Sequence, residues 1–269
     1  MHDAETEVQL PHEFRLAWGL DRGQRPGPRP SLTLEQILDS AIAIADADGL
    51  AALSMARVAK AVGFTTMSLY RYVTSKDELL QLISDAALPE PVIPPTLGQD
   101  WRGELEAWAR AVLDAFLAHP WIVHVPLAGP PTLPRNIAWM DYCLRILQPL
   151  PLTLDERLST LMLLSGHARN ETLLTQQLAL GLARSGRTEE EASTVYLVAM
   201  HHIASPDRFP GLHHLLLQGG LGPLPGEEPG RETAGEPPGP PPSTYDYGLG
   251  RILDGLGALV ARREAQGGT

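Results

Sequence analysis

The sequence predicts an all-α protein made of a small N-terminal head and a larger helical body. Apolar residues recur three and four positions apart over most of the chain, no stretch alternates well enough to make a strand, and Pro-rich breaks fall between the periodic segments. At 269 residues the chain can bury a substantial core without covalent staples. Cys143 is its one cysteine, so no intramolecular disulfide is available and nothing calls for an oxidising compartment.

The first thirty residues show little periodicity and end in a Pro/Gly stretch punctuated by Arg22, Arg25 and Arg29, which reads as a flexible basic arm over 1–30. From Leu34 to Asp48 the residues Ile37, Leu38, Ala41, Ile42, Ile44 and Ala45 mark a helix, with Thr33 placed to cap it and Gly49 to stop it. Ser54 can cap a short helix through Val62, Gly63 breaks it, and another short helix follows from about Thr65 to Tyr72. Ser75 opens a further helix to about Ala87, completing a head over residues 31–88. Pro89, Pro91, Pro94 and Pro95 then separate it from a body expected over 96–269.

In the body the helical pattern returns over Trp101 to Ala118, about Pro134 to Leu147, and Leu154 to about Arg184. Thr153 and Glu156 have capping-box spacing at the start of the last of these. Helices over Glu189 to Ala204 and Gly211 to Gln218 follow, and residues 219–243, dominated by Gly, Pro and Glu, are expected to form a mobile loop. The chain closes on a helix that carries Leu249, Ile252, Leu253, Leu256, Leu259 and Val260 on one face.

The formal net charge of -11 is unevenly spread. Residues 1–21 hold one Arg against five acids, 22–80 seven bases against six acids, and 81–269 thirteen bases against twenty-one acids. A locally basic head on an acidic body fits selective contact with a polyanion and excludes adhesion over the whole surface. The start of the chain lacks the basic-then-apolar layout of a secretory signal, and no apolar run reaches the ~20 residues of a membrane span, so a cytoplasmic protein without membrane contact is expected.

Two short helices joined across Gly63-Phe64 have a use in DNA recognition, where the first braces the second against base edges in the major groove. Leu69 and Val73 are placed to anchor the second helix inward, leaving Thr65, Thr66, Met67, Ser68 and Arg71 to face outward. Small hydroxyls can bond phosphates or bases, Met67 can touch a thymine methyl, and Arg71 can reach guanine or phosphate.

The run from Leu53 to Leu80, with its Leu69-Tyr-Arg-Tyr-Val73 core and Lys76-Asp-Glu-Leu-Leu80, resembles the TetR-family signature, and the likeness extends over about Leu34 to Leu88. It implies a homodimer that binds double-stranded DNA at a near-palindromic operator and releases it when a small-molecule effector enters the C-terminal body. Carried over, Thr65, Thr66, Met67 and Arg71 match base-facing positions, and Ser54, Tyr70, Tyr72 and Lys76 match phosphate-holding ones. Ala56 departs from the pattern, standing where the family's namesake carries a base-reading arginine, so that contact is absent or falls to Arg57. The body is similar to an actinobacterial branch of the family through His119-Pro-Trp121, Pro130-Pro131, Trp139 to Leu147 and Tyr247 to Leu256. In that branch the long helix and the terminal helix form a dimeric four-helix bundle. Gly248, Gly250, Gly255 and Gly257 would let a partner helix approach the apolar stripe of the terminal helix.

The same resemblance places Trp108, Phe116, Trp121, Trp139, Met140 and Met162 in effector-lining helices, with His124, His167, Arg169 and Asn170 as polar candidates. His167 and Asn170 lie three apart and so share a helix face. The pairs His201-His202 and His213-His214 lack the spacing of a metal site, and no cofactor or metal is expected. No nucleophile elbow, phosphate loop or His-Glu-x-x-His occurs, so no enzyme is expected. The alternative is a helical ligand-binding protein without a specific operator. The bases gathered in the arm and head, Arg22, Arg25, Arg29, Arg57, Arg71 and Lys76, weigh against it.

Overall fold

A computed structural model of the chain describes residues 10–20, 32–95, 97–126, 129–221 and 243–267. They form α1 (His12–Ala17), α2 (Leu34–Asp48), α3 (Met55–Ala61), α4 (Thr66–Leu69), α5 (Lys76–Ala86), α6 (Trp101–Ala118), α7 (Pro134–Leu147), α8 (Leu154–Ser185), α9 (Glu189–Ile203), α10 (Pro210–Leu217) and α11 (Thr244–Gly267). Short 3-10 turns cover Leu50–Ala52 and Pro120–His124. Among the described residues there is no strand, and no helix is long and apolar enough to cross a membrane.

Local chemistry sets the boundaries. Thr33 and Gln36 form a capping box at the start of α2, and Gly49, at φ 76°, ends that helix in a conformation that side chains with a Cβ rarely adopt. Ser54 and Ser75 cap α3 and α5 through the amides of Arg57 and Glu78. Thr153 and Glu156 form the expected reciprocal pair ahead of α8, at 2.8 and 3.3 Å. Helical periodicity then decides what is buried: Ile37, Ala41 and Ile44 of α2, Val58 of α3, Leu69 of α4, and Leu79 and Ile83 of α5 close the core of the head.

Two compact units are present. The first holds residues up to Leu173 together with the segment from Thr244, and so contains the head, α6, α7, the opening turns of α8, and α11. The second spans Leu174–Ser243, with the end of α8, α9 and α10. In the second unit a capping box of Thr188 and Glu191 starts α9, and Val195, Tyr196 and Val198 of that helix are exposed.

Three features differ from the sequence expectation. Residues 10–20 include a helix, although the arm was expected to be flexible over 1–30; Leu16 and Ala17 pack on the core, and the Trp18 indole N–H donates to the Thr132 carbonyl at 2.9 Å. Arg22, Arg25 and Arg29 lie outside the described residues, as do 222–242 of the expected mobile loop. The recognition helix is shorter than anticipated, since Tyr70 already serves as its C-cap.

The third difference concerns α11, whose apolar stripe faces its own chain. Leu249 and Leu253 are 1 % exposed, Leu256 and Val260 are buried, and Ile252 and Leu259 pack against the same core. Polar contacts seal α11 along α6: Arg102 and Arg110 pair with Asp254 and Asp246, each at 2.5 Å, and the Tyr245 hydroxyl donates to the Ala109 carbonyl at 2.8 Å. The close approach at Gly248 is likewise internal, because a Cβ there would come within 2.6 Å of the His167 ring. Leu249, Leu253, Leu256 and Val260 are therefore core groups of their own protomer, and Ile252 and Leu259 are partly buried at the edge of that core.

Candidate nucleic-acid interface

The turn between α3 and α4 depends on Gly63, which has φ 77° and lets the Phe64 amide reach the Ala59 carbonyl at 2.9 Å. Thr65 then caps α4: its hydroxyl accepts from the Ser68 amide at 3.3 Å and lies 3.0 Å from the Ser68 hydroxyl. Leu69 and Val73 are wholly buried, which fixes the rotation of α4 and turns Thr65, Met67, Tyr70 and Arg71 to solvent. Met67 is 72 % exposed, an exposure that suits an apolar side chain awaiting a partner surface. Thr66 and Ser68 are half-buried at the edge of this face, and Lys76 is exposed at the start of α5.

Two of the expected contacts, those of Tyr72 and Arg57, are taken up within the chain, and that of Ser54 is left open. The Tyr72 hydroxyl donates to the Leu32 carbonyl at 2.6 Å, so its one proton fastens the chain entering α2 and is not available to a phosphate. The Ser54 hydroxyl accepts from the Arg57 amide at 3.2 Å, a cap that leaves the residue exposed and its own proton free to donate. Arg57 pairs with Asp48 at the end of α2. Arg71 and Lys76, by contrast, have no ion-pair partner among the described residues.

Glu78 is buried in the first turn of α5. It accepts from the Thr74 amide at 2.6 Å and from the Thr74 hydroxyl, and its other oxygen meets His12 Nδ1 of α1. Burial acts to raise its pKa, but the hydrogen bonds from Thr74 and His12 outweigh that and hold the carboxyl below its ordinary value of 4.5. A depressed folded pKa gives stability that is present above the unfolded pKa and lost as pH falls through the folded one. Stability is therefore expected to decline below about pH 4.5 with a component that Glu78→Gln removes. Parallel urea titrations of the two proteins from pH 6 to pH 3 check this, and identical pH slopes would contradict it.

The head is joined to the body by carboxylates that the sequence analysis did not single out. Asp85, buried in the last turn of α5, accepts from the Arg135 and Asn136 amides at 3.2 and 2.8 Å and from the Asn136 side-chain amide at 2.8 Å. It thereby supplies the cap that α7 lacks in its own sequence, where Leu133 and Pro134 offer none. The Arg135 guanidinium and the Trp139 indole add donations to the Leu88 and Pro89 carbonyls at 2.7 and 2.8 Å. On the other side Asp46 of α2 accepts from the Trp121 indole at 2.6 Å and from His119 Nδ1 at 2.8 Å. Asp46, Asp48 and Asp85 all sit in C-terminal helical turns, where the helix dipole disfavours an anion, and that misplacement is the signal by which sequence could have found them.

Of the effector candidates, Trp108 and Trp139 are brought together. Trp108 and Trp139 form an edge-to-face pair with centroids 6.3 Å apart, and the Trp108 indole donates to the Trp139 carbonyl at 3.0 Å. With Trp121 committed to Asp46, all three tryptophans are buried with satisfied N–H groups. Phe116 and Met140 are half-buried, while His124, Met162 and Asn170 are exposed. His167 and Asn170 are separated in role, since His167 stacks on Tyr245 at 4.6 Å and donates from Nε2 to the Tyr245 carbonyl at 2.9 Å. Arg169 donates to the Val123 carbonyl, tying α8 to the 3-10 turn. Cys143 is buried, and burial pushes its thiol up to about 12, which leaves it inert.

Comparison with known proteins agrees with this architecture. Residues 37–83 match the family described as bacterial regulatory proteins, tetR family, and residues 94–218 match the tetracyclin repressor-like C-terminal domain. A curated relative, the HTH-type transcriptional repressor DrrR1 of Streptomyces coeruleorubidus, is 36% identical over 260 residues, covering 94% of this chain and 87% of its own. Among solved structures, apo ActR from Streptomyces coelicolor superimposes with a TM-score of 0.64 at 26% identity, covering 87% of this chain and 98% of that one. ActR in complex with actinorhodin gives a TM-score of 0.64 at 27% identity, with coverage of 85% and 97%.

Proposed function

The chain belongs to the TetR family of bacterial regulators, and from that premise we propose that it is a homodimeric repressor whose paired α4 helices read a near-palindromic operator and which a small molecule releases from DNA. The observation that carries the DNA-binding part is the exposed face of α4, with Thr65, Met67, Tyr70 and Arg71 held outward by the wholly buried Leu69 and Val73. The name of the DrrR1 relative supports repression, and the ActR complex with actinorhodin supports release by a ligand. The effector is small enough to enter the helical body, and it acts by favouring the arrangement that does not bind DNA, since equal affinity for both states would shift nothing.

Dimerisation belongs on the opening turns of α8. Leu154, Leu158 and Met162 recur every four residues on one face and are 74, 46 and 71 % exposed, an unpartnered apolar stripe of the kind that a second copy covers. This stripe takes over the role expected of α11. Twofold symmetry then sets half-site centres about 34 Å apart, or a near-multiple of that distance.

Selection of bound fragments from randomised duplex DNA tests the function and yields the operator. On that operator Arg71→Ala is expected to cost about 1 to 3 kcal/mol and to relax preference at one position per half-site. Lys76→Ala should weaken all sequences nearly equally and make the salt dependence shallower by about one phosphate contact. If Lys76→Ala altered base preference and Arg71→Ala did not, the orientation of α4 would be wrong.

A further inference from the structure

Asp48 stands where a carboxylate is least expected in a DNA-binding head. It is the last residue of α2, at the negative end of the helix dipole, in a helix whose last turn holds no base. Its acidic neighbour two positions earlier, Asp46, is occupied by Trp121 and His119, and two residues that far apart point to nearly opposite sides of a helix. Asp48 is thus left to face α3, where it holds the Arg57 guanidinium. Arg57 follows Ser54, the cap of α3, by three residues, and its amide is the one that Ser54 caps. The side chains of the pair are 43 and 47 % exposed, so water and a phosphate oxygen can both reach them, and the pair can be exchanged at little cost.

We propose that Asp48 is a positioning residue that withholds Arg57 from the DNA backbone, keeping the head's sequence-independent attraction for DNA below what its cations would otherwise give. A guanidinium forks equally well onto a carboxylate and a phosphate, and a fixed carboxylate on the same protomer competes with every phosphate the head meets. The residues that read bases are untouched by this competition, because Arg71 has no ion-pair partner among the described residues. Removing one phosphate contact lowers affinity for any duplex alike, so the withheld Arg57 weakens retention on random DNA while leaving the ratio of operator to random affinity unchanged. The one arginine on the bracing helix therefore acts through its restraint.

The inference rests on the DNA-binding reading above, and the test separates the two. Affinities for a random duplex and for the selected operator are measured between 50 and 200 mM salt for wild type, Asp48→Asn, Asp48→Glu, Arg57→Ala and the double variant Asp48→Asn/Arg57→Ala. Asp48→Asn is expected to tighten random-duplex binding a few-fold and to steepen the slope of log K against log salt by about 0.9, the value of one phosphate contact. Asp48→Glu, which keeps the carboxylate, should retain the wild-type slope, and in the Arg57→Ala background Asp48→Asn should leave the slope unchanged. An equal gain with and without Arg57 would mean that only a repelling charge had been removed and would overturn the proposal, as would no gain at all. A wild-type protein that bound no duplex would instead overturn the DNA-binding reading itself, and this inference with it.

Discussion

Leu253→Asp is expected to leave no folded protein, whereas Leu158→Asp is expected to leave a folded monomer, and the contrast separates the two apolar stripes of the body. Leu253 is 1 % exposed in a core shared with α6 and α8, so an aspartate there forfeits a buried leucine and strands a charge. Truncating a buried leucine alone costs about 2 to 5 kcal/mol, and an unpaired buried charge adds to that, against a total stability on the order of 5 to 15 kcal/mol. Leu158 is 46 % exposed on the opening turns of α8, where an aspartate costs the isolated protomer little but sets two charges against each other across a twofold axis. Circular dichroism and sedimentation velocity on both variants read the outcome directly. A folded, monomeric Leu253→Asp beside a tightly dimeric Leu158→Asp would restore the interface to α11 and contradict the burial described above.

The helix boundaries were legible because their signals are local. Thr33, Ser54, Ser75 and Thr153 announce helix starts that the structure repeats, and Gly49 and Gly63 end helices through positive φ. The reading face followed from the same logic, since the positions of Leu69 and Val73 determine what is left outside. What sequence could not supply was the destination of a stripe: periodicity shows that Leu249 to Val260 face something apolar, and it is silent on whether that surface belongs to the same chain. Long-range pairing was equally hidden. Tyr72 matched a phosphate-holding position, yet forty residues away the Leu32 carbonyl claims its proton. His12, Glu78, Asp46 and Asp85 gain their roles from partners 50 to 75 residues distant, and only for Asp46 and Asp85 did the awkward placement of an acid at a helix C-terminus give a hint.

The joint between head and body makes the second large effect. Asp85 is 5 % exposed and accepts three hydrogen bonds, two of them from the first turn of α7, whose amides have no cap of their own. Asp85→Ala would leave those part-buried donors without acceptors and would release α5, the helix that carries Lys76, from the helix that carries Trp139. Hydrogen bonds to a charged acceptor contribute about 1.5 to 3 kcal/mol each before relaxation, and water can recover part of the loss at the cut site, so a destabilisation of about 3 kcal/mol is expected. Guanidinium unfolding measures it as a lower midpoint at unchanged slope. Asn136→Ala removes one of the three donors while leaving the two backbone amides, so it should cost less, and the double variant should fall short of the sum by about 1 kcal/mol because the two residues share a bond. Arg135 and Trp139 still grip the Leu88 and Pro89 carbonyls in these variants, which keeps the protein folded enough to measure. Strict additivity, or an Asp85→Ala protein as stable as wild type, would show that α7 is held by its apolar face alone and that the carboxylate is no part of the joint.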